Sequence, residues 1–177
     1  MNSSIQNQDS SLSANGRFGR LSYLGWNMLL GFLVLLLGII AAILVPAVTN
    51  SASTVILFGT VIFAIIVYIT LIYFTFIFTI RRLHDKNQSG WLSLLMLIPL
   101  INLFFFIYLS CVKGDESTNN YGSPRTTQTW EKVLAWIYII VFPISILLMA
   151  ITAIPAYQSY IERAQQIQLE QNMNYSE

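Results

Sequence analysis

The fold of this chain is decided by the stretch RRLHDKNQSGW, residues 81–91. Five of its first six side chains are strongly polar or ionisable, and long apolar segments lie on both sides. Burying an arginine at the centre of a bilayer costs about 2.5–3.5 kcal/mol on insertion scales. This stretch, here called the central motif, is therefore expected at a membrane surface, where it marks a turn of the chain.

The composition indicates an integral membrane protein. The 177 residues are 55% hydrophobic and only 10% charged, whereas soluble domains are about 25% charged. A net charge of +1 provides no basic field for nucleic acid. With one cysteine, Cys111, and one histidine, His84, the chain cannot form an internal disulfide, a cysteine metal cluster or a multi-histidine metal site. We therefore expect no metal and no cofactor.

Apolar periodicity and length predict an all-α, polytopic membrane protein. The segments 23–48, 55–80 and 133–154 are long enough for three full spans. The segment 91–112 could also cross, since 22 residues of helix extend about 33 Å. Its middle, however, contains IPLIN, residues 98–102, with a helix-breaking proline and a polar asparagine.

Two structures are open for the segment 91–112. It is either one kinked helix or a re-entrant pair of short helices, 91–98 and 103–112, that turns at Pro99–Asn102. The kinked helix places six of the nine Lys and Arg residues on one side of the membrane, and the re-entrant pair places eight there. The second distribution agrees better with the positive-inside rule.

A cluster of polar side chains, here called the polar knot, is the candidate site. Asp85 is expected to pair with Arg17, with Arg20 or with an arginine of the central motif, and to lock three cytoplasmic segments together. In the alternative, the arginines bind an anionic lipid headgroup. A general-base role for His84 lacks a paired Ser or Cys nucleophile, so we expect no enzyme. The polar knot comprises Arg17, Arg20, Arg81, Arg82, His84, Asp85, Asn120 and Tyr121. The expected interface anchors are Trp26, Trp91 and Trp130.

Three motifs in this order resemble the bacterial inner-membrane family called domain of unknown function 805. They are GRFGR at 16–20, the central motif, and KGDESTNNYG at 113–122. The resemblance covers about residues 16–125. The chain departs from the family pattern at 117–120 and 123–125, which concerns the local turn and not membership.

The resemblance divides the chain into three parts. Residues 1–15 are Ser-, Asn- and Gln-rich and predict a disordered tail rather than a signal peptide, because they contain no basic residue. Residues 16–125 form the family-like membrane domain, and 126–177 add a last span and a helical tail. Residues 153–165 are similar to the end of a type IV pilin's N-terminal helix, although the pilin peptidase site and early glutamate are absent.

The expected function is that of a multi-pass inner-membrane protein with a non-enzymatic, structural or accessory role. Its expected partners are membrane lipids and, through the C-terminal helix, another membrane protein. The alternatives are an anionic-lipid-binding protein or a small transporter or channel subunit. A transporter usually has an ionisable residue within a span, and the predicted spans contain none.

Overall fold

The computed structural model of the protein describes residues 13–51 and 54–174. The predicted disordered tail falls largely on residues 1–12, which lie outside the described residues. The same holds for 175–177, the end of the predicted C-terminal helix. The chain divides into two compact units, one that ends at Tyr138 and one that begins at Ile139. The polar knot belongs to the first unit.

The elements are α1 (Arg20–Ser51), α2 (Thr54–His84), a 3-10 helix (Gly90–Leu97), α3 (Pro99–Cys111) and α4 (Thr129–Asn174). Three of these helices, α1, α2 and α4, are long and apolar enough to cross a membrane. A segment in lipid must satisfy its backbone hydrogen bonds internally, so apolar runs of this length form helices. The prediction of an all-α fold with three full spans and a shorter helical segment is confirmed.

The helices extend beyond the predicted apolar runs. The predicted second span ends at residue 80, but α2 continues to His84 and includes Arg81 and Arg82 in its last turn. Cations at a helix C-terminus interact favourably with the helix dipole, and here their side chains are buried within the protein. The helix predicted beyond Pro155 is present in α4 as far as Asn174.

The segment 91–112 forms a helical hairpin and not one kinked helix. The 3-10 helix ends at Leu97, Ile98 is extended, and α3 begins at Pro99. The turn predicted at Pro99–Asn102 is therefore wrong in detail, because proline's fixed φ suits the first position of a helix. The side chain of Asn102 donates a hydrogen bond to the Met96 carbonyl, which satisfies its amide across the hairpin.

The hydrophobic core lies where α1 begins and α2 ends. Its buried members are Phe18, Tyr23, Ile77, Phe78, Leu83 and Leu109. At Gly25 of α1 an added Cβ would lie 2.5 Å from the backbone oxygen of Glu131 in α4. Only glycine permits this close approach between the first turn of α4 and the second turn of α1.

Candidate functional site

A buried carboxylate bridges two buried arginines at the end of α2. Oδ1 of Asp85 accepts hydrogen bonds from Nε of Arg17 at 3.2 Å and from its Nη2 at 3.1 Å. Oδ2 of Asp85 accepts from Nη1 of Arg82 at 2.5 Å. The side chains of both arginines are 0% exposed and that of Asp85 is 8% exposed. This arginine–aspartate network joins the segment before α1 to the end of α2.

Arg17 binds the loop 113–128 through its backbone. Nη1 of Arg17 donates to the carbonyls of Ser117 at 2.7 Å and Gly122 at 3.0 Å. Nη2 donates to the carbonyl of Asp115 at 2.5 Å. Together with the bonds to Asp85, these contacts provide an acceptor for each of the five guanidinium N–H groups. Arg17 therefore has no donor left for an external anion.

Arg82 caps the C-terminus of α3. Its Nε donates to the carbonyl of Leu109 at 2.7 Å, and its Nη2 donates to the carbonyl of Val112. Arg20 donates to the carbonyl of Cys111 at 3.3 Å, and Lys86 to that of Lys113 at 3.1 Å. The last carbonyls of a helix have no partner within the helix, and cations suit its negative end. Three basic side chains from different segments thus hold the end of α3.

His84 packs against the loop and not against the carboxylate of Asp85. Its ring stacks on Tyr121, with centroids 3.7 Å apart and planes at 7°. The backbone carbonyl of His84 accepts from Nδ2 of Asn119 at 2.8 Å, and Oδ1 of Asn119 accepts from the Tyr121 N–H. The N–H of Asn120 reaches the side chain of Asn87 at 3.4 Å. Asn120 was the predicted site residue, whereas Asn119 makes the contacts that shape the turn.

The loop approaches Asp85 at Gly114. A Cβ at Gly114 would overlap the Asp85 carboxylate, so no larger residue fits without displacing it. The next N–H, that of Asp115, donates to the backbone carbonyl of Asp85 at 2.8 Å. Gly114 was quoted in the third motif but was not selected as a site residue, and its role follows only from this contact.

The remaining predicted residues differ in their burial. The guanidinium of Arg81 is buried and lies 3.9 Å from the ring centroid of Phe18. Arg20 is exposed. Among the expected anchors, Trp91 is 81% exposed and Trp130 is 42% exposed, as side chains at a lipid interface can be. Trp26 is half-buried and belongs to a second polar cluster.

Glu131 is the centre of this second cluster and was not among the predicted site residues. Its fully buried carboxylate accepts from Nη1 of Arg125 at 2.8 Å, from Nε1 of Trp26 at 2.7 Å and from the hydroxyl of Ser22 at 2.9 Å. It also accepts from the backbone N–H of Gln128 at 2.8 Å, as a capping-box glutamate does. An acidic residue three positions after a helix's N-cap was the available signal.

The buried arginines of the polar knot bind the Asp85 carboxylate and backbone carbonyls. Both oxygens of Asp85 are held by arginines, so the carboxylate does not orient His84 as a base. Within the described ranges, no three His, Cys, Asp or Glu side chains come together to hold a metal ion. Around the end of α3, Arg20 and Lys113 are exposed and Lys86 is half-exposed.

The protein of unknown function family DUF805 has a model that matches residues 11–123. The chain belongs to this family. The three motifs of the family-like region meet in the polar knot: Arg17 from the first, Arg82 and Asp85 from the second, and Gly114 and Asn119 from the third.

Two inner-membrane relatives share part of the sequence. Inner membrane protein YhaH of Escherichia coli strain K12 is 43% identical over 42 residues, which are 24% of this DUF805 chain and 35% of YhaH. Inner membrane protein YhaI of the same strain is 39% identical over 44 residues, 25% of this chain and 37% of YhaI. The chain thus spans just over a third of the length of these relatives. No solved structure resembles the chain closely enough to count as a match. With its three spans, the protein is a multi-pass inner-membrane protein.

Proposed function

We propose that this inner-membrane protein is not an enzyme and that it serves a structural or accessory role beside another membrane protein. The observation that carries the proposal is the use of the polar knot's donors. The N–H groups of Arg17 and Arg82 bind Asp85 and backbone carbonyls of three segments, namely the stretch before α1, the end of α3 and the loop 113–128. The cluster therefore holds the fold together. A binding site or a catalytic site would keep polar groups available for its ligand.

The exposed surface supports a role in association. The apolar windows of the three spans are at most 6% buried within the chain, so lipid or another protein must cover them. On the tail of α4, Tyr157 and Tyr160 are 66% and 70% exposed, and Ile161 is 37% exposed. These side chains follow the apolar span directly and offer an aromatic face to a partner helix. The similarity of residues 153–165 to a pilin helix suggests such a partner and stays a prediction.

Site-specific crosslinking tests the proposal. A photo-crosslinking amino acid at Tyr160 should capture one membrane protein, whereas the same group at Ile146 in the apolar window should capture lipid. That protein should co-purify with the wild-type chain in mild detergent and be lost from the Tyr160→Ser/Ile161→Ser variant. Capture of lipid alone at both positions would contradict the proposed partner.

Binding of anionic lipid is the second candidate, and the exposed cations favour it. Arg20 and Lys113 are exposed, and Lys86 lies half-exposed near them because all three are close to the end of α3. Juxtamembrane cations contribute about 1 kcal/mol each to binding of an anionic surface. The variant Arg20→Gln/Lys113→Gln should then retain less anionic lipid after purification than the wild type. The control Arg163→Gln, which changes an exposed cation of the α4 tail, should retain as much as the wild type.

A further inference from the structure

The hairpin formed by the 3-10 helix and α3 begins and ends at the same side of the molecule. It leaves the end of α2 at Gly90. It returns where Arg82 of α2 binds the carbonyls of Leu109 and Val112. Just beyond, the N–H of Asp115 binds the carbonyl of Asp85. The base of the hairpin, where both arms begin or end, is therefore held beside the polar knot.

Neither arm is long enough to cross a bilayer. Eight residues of 3-10 helix extend about 16 Å, and the 13 residues of α3 extend about 20 Å. The hydrocarbon core of a bilayer is about 30 Å thick. From a base at the membrane surface, the hairpin reaches about the midplane and occupies one leaflet.

The tip of the hairpin has the surface of a lipid-embedded segment. Leu97, Leu100 and Phe104 are 64%, 77% and 70% exposed. Two polar groups of the tip are bonded within the hairpin: the N–H of Asn102 donates to the carbonyl of Ile98, and its side-chain amide donates to that of Met96. Unsatisfied polar groups oppose insertion into hydrocarbon, and these two bonds lower that cost.

Among the described residues of this unit, none forms a counterpart of the hairpin in the opposite half of the bilayer. There, a cavity of about 740 Å³ lies between α1 and α2. Its lining comes from these two helices alone, over 37–48 and 56–71, and is almost entirely apolar. Lipid chains can fill this cavity, whereas the hairpin occupies the leaflet on the polar-knot side. With a helix diameter of about 10–12 Å, the two arms add roughly 160–230 Å² of cross-section to one leaflet only.

We propose that the hairpin is a wedge in the leaflet on the polar-knot side, so that the protein prefers membranes in which this leaflet is convex. Its ligand is the lipid monolayer itself, held between the apolar tip and the cations at the base. Helices that insert into one leaflet bind in a curvature-sensitive way. The inference does not rest on the proposed accessory role, because it requires no partner protein.

Single-vesicle fluorescence tests the wedge. The full-length, fluorescently labelled protein is reconstituted into vesicles of one lipid composition and mixed diameters, and protease protection selects those with the polar knot outward. Protein density per membrane area should increase as the diameter falls. The variant Leu100→Ser/Phe104→Ser, which makes the tip polar, should lose this enrichment. The control Leu35→Ser/Phe58→Ser changes side chains of α1 and α2 that are 59% and 66% exposed and do not line the cavity, and this variant should keep the enrichment.

The outcomes separate clearly. A wild-type density that does not depend on diameter overturns the proposal. Enrichment that persists in the tip variant also overturns it, because the hairpin is then not the cause. Circular dichroism measures the helical content of the tip variant and shows whether it is folded. If it is not, the single variant Leu100→Ser replaces it, with partial loss of enrichment expected and unchanged enrichment counting against the wedge.

Discussion

The substitution Asp85→Asn should destabilise the protein far more than a change at the neighbouring His84. Asparagine fits the same space but removes the charge that two buried guanidinium groups share. Removing one partner of a buried ion pair costs about 3–5 kcal/mol, because the other charge is left without compensation. The low exposure of Arg17, Arg82 and Asp85 places this network within that range.

The comparison variant His84→Gln should lose much less of the free energy of unfolding. The His84 side chain contributes a ring stacked on Tyr121, and an aromatic pair is worth about 0.5–1.5 kcal/mol beyond its buried area. A matched charge control is Asp115→Asn, since Asp115 is exposed. Substitutions of exposed residues usually change the free energy of unfolding by about 0.5 kcal/mol or less.

Unfolding by SDS in a mild detergent, followed by circular dichroism, measures the three variants on one scale. The expected order of destabilisation is Asp85→Asn, then His84→Gln, then Asp115→Asn. An equal or larger effect at His84 would refute the view that the arginine–aspartate network carries the stability of this end. If Asp115→Asn lowered the free energy of unfolding as much as Asp85→Asn, burial of the carboxylate would not explain the effect.

Three further predictions use the same fold. Gly114→Ala should cost about 1–3 kcal/mol by overpacking in the same SDS titration, whereas Gly31→Ala, which meets open space, should be close to neutral or stabilising. Glu131→Gln should cost about 1–3 kcal/mol, because buried donors lose a charged acceptor, and tryptophan fluorescence should shift as the contact with an indole weakens. Cysteines introduced at Ser89 and Ser117, with the native cysteine removed, should react with a membrane-impermeant thiol reagent from the same side; labelling from opposite sides would contradict the hairpin.

Much of the fold was predictable because hydropathy reports the membrane directly. The three full spans follow from apolar length, and the positive charges favoured a hairpin at 91–112 over a crossing helix. The secondary structure of the two arms of that hairpin was harder to predict. A 3-10 helix and an α-helix have similar apolar patterns over eight residues, and Pro99 can end one helix or begin the next.

The pairing within the polar knot could be narrowed but not decided from sequence. Four arginines were candidates for Asp85, and the structure pairs it with Arg17 and Arg82. The choice depends on which backbone carbonyls the loop and α3 bring to each guanidinium, and these come from segments 27–105 residues away in the chain. Glu131 had a local signal in its capping position, but its donors Ser22 and Trp26 come from α1, 109 and 105 residues away in the chain.

The positions that carry the family resemblance have structural tasks in this molecule. Arg17 binds the carbonyls of the loop, Arg82 binds those of α3, and Gly114 leaves room for the carboxylate between them. Asn119 holds the turn against the end of α2. A motif built from such contacts specifies how the loop and the hairpin close on the spans. Membership of the family therefore predicts that a relative holds its loop and hairpin against the spans by the same contacts. It predicts an activity only where further residues, outside these contacts, supply the chemistry.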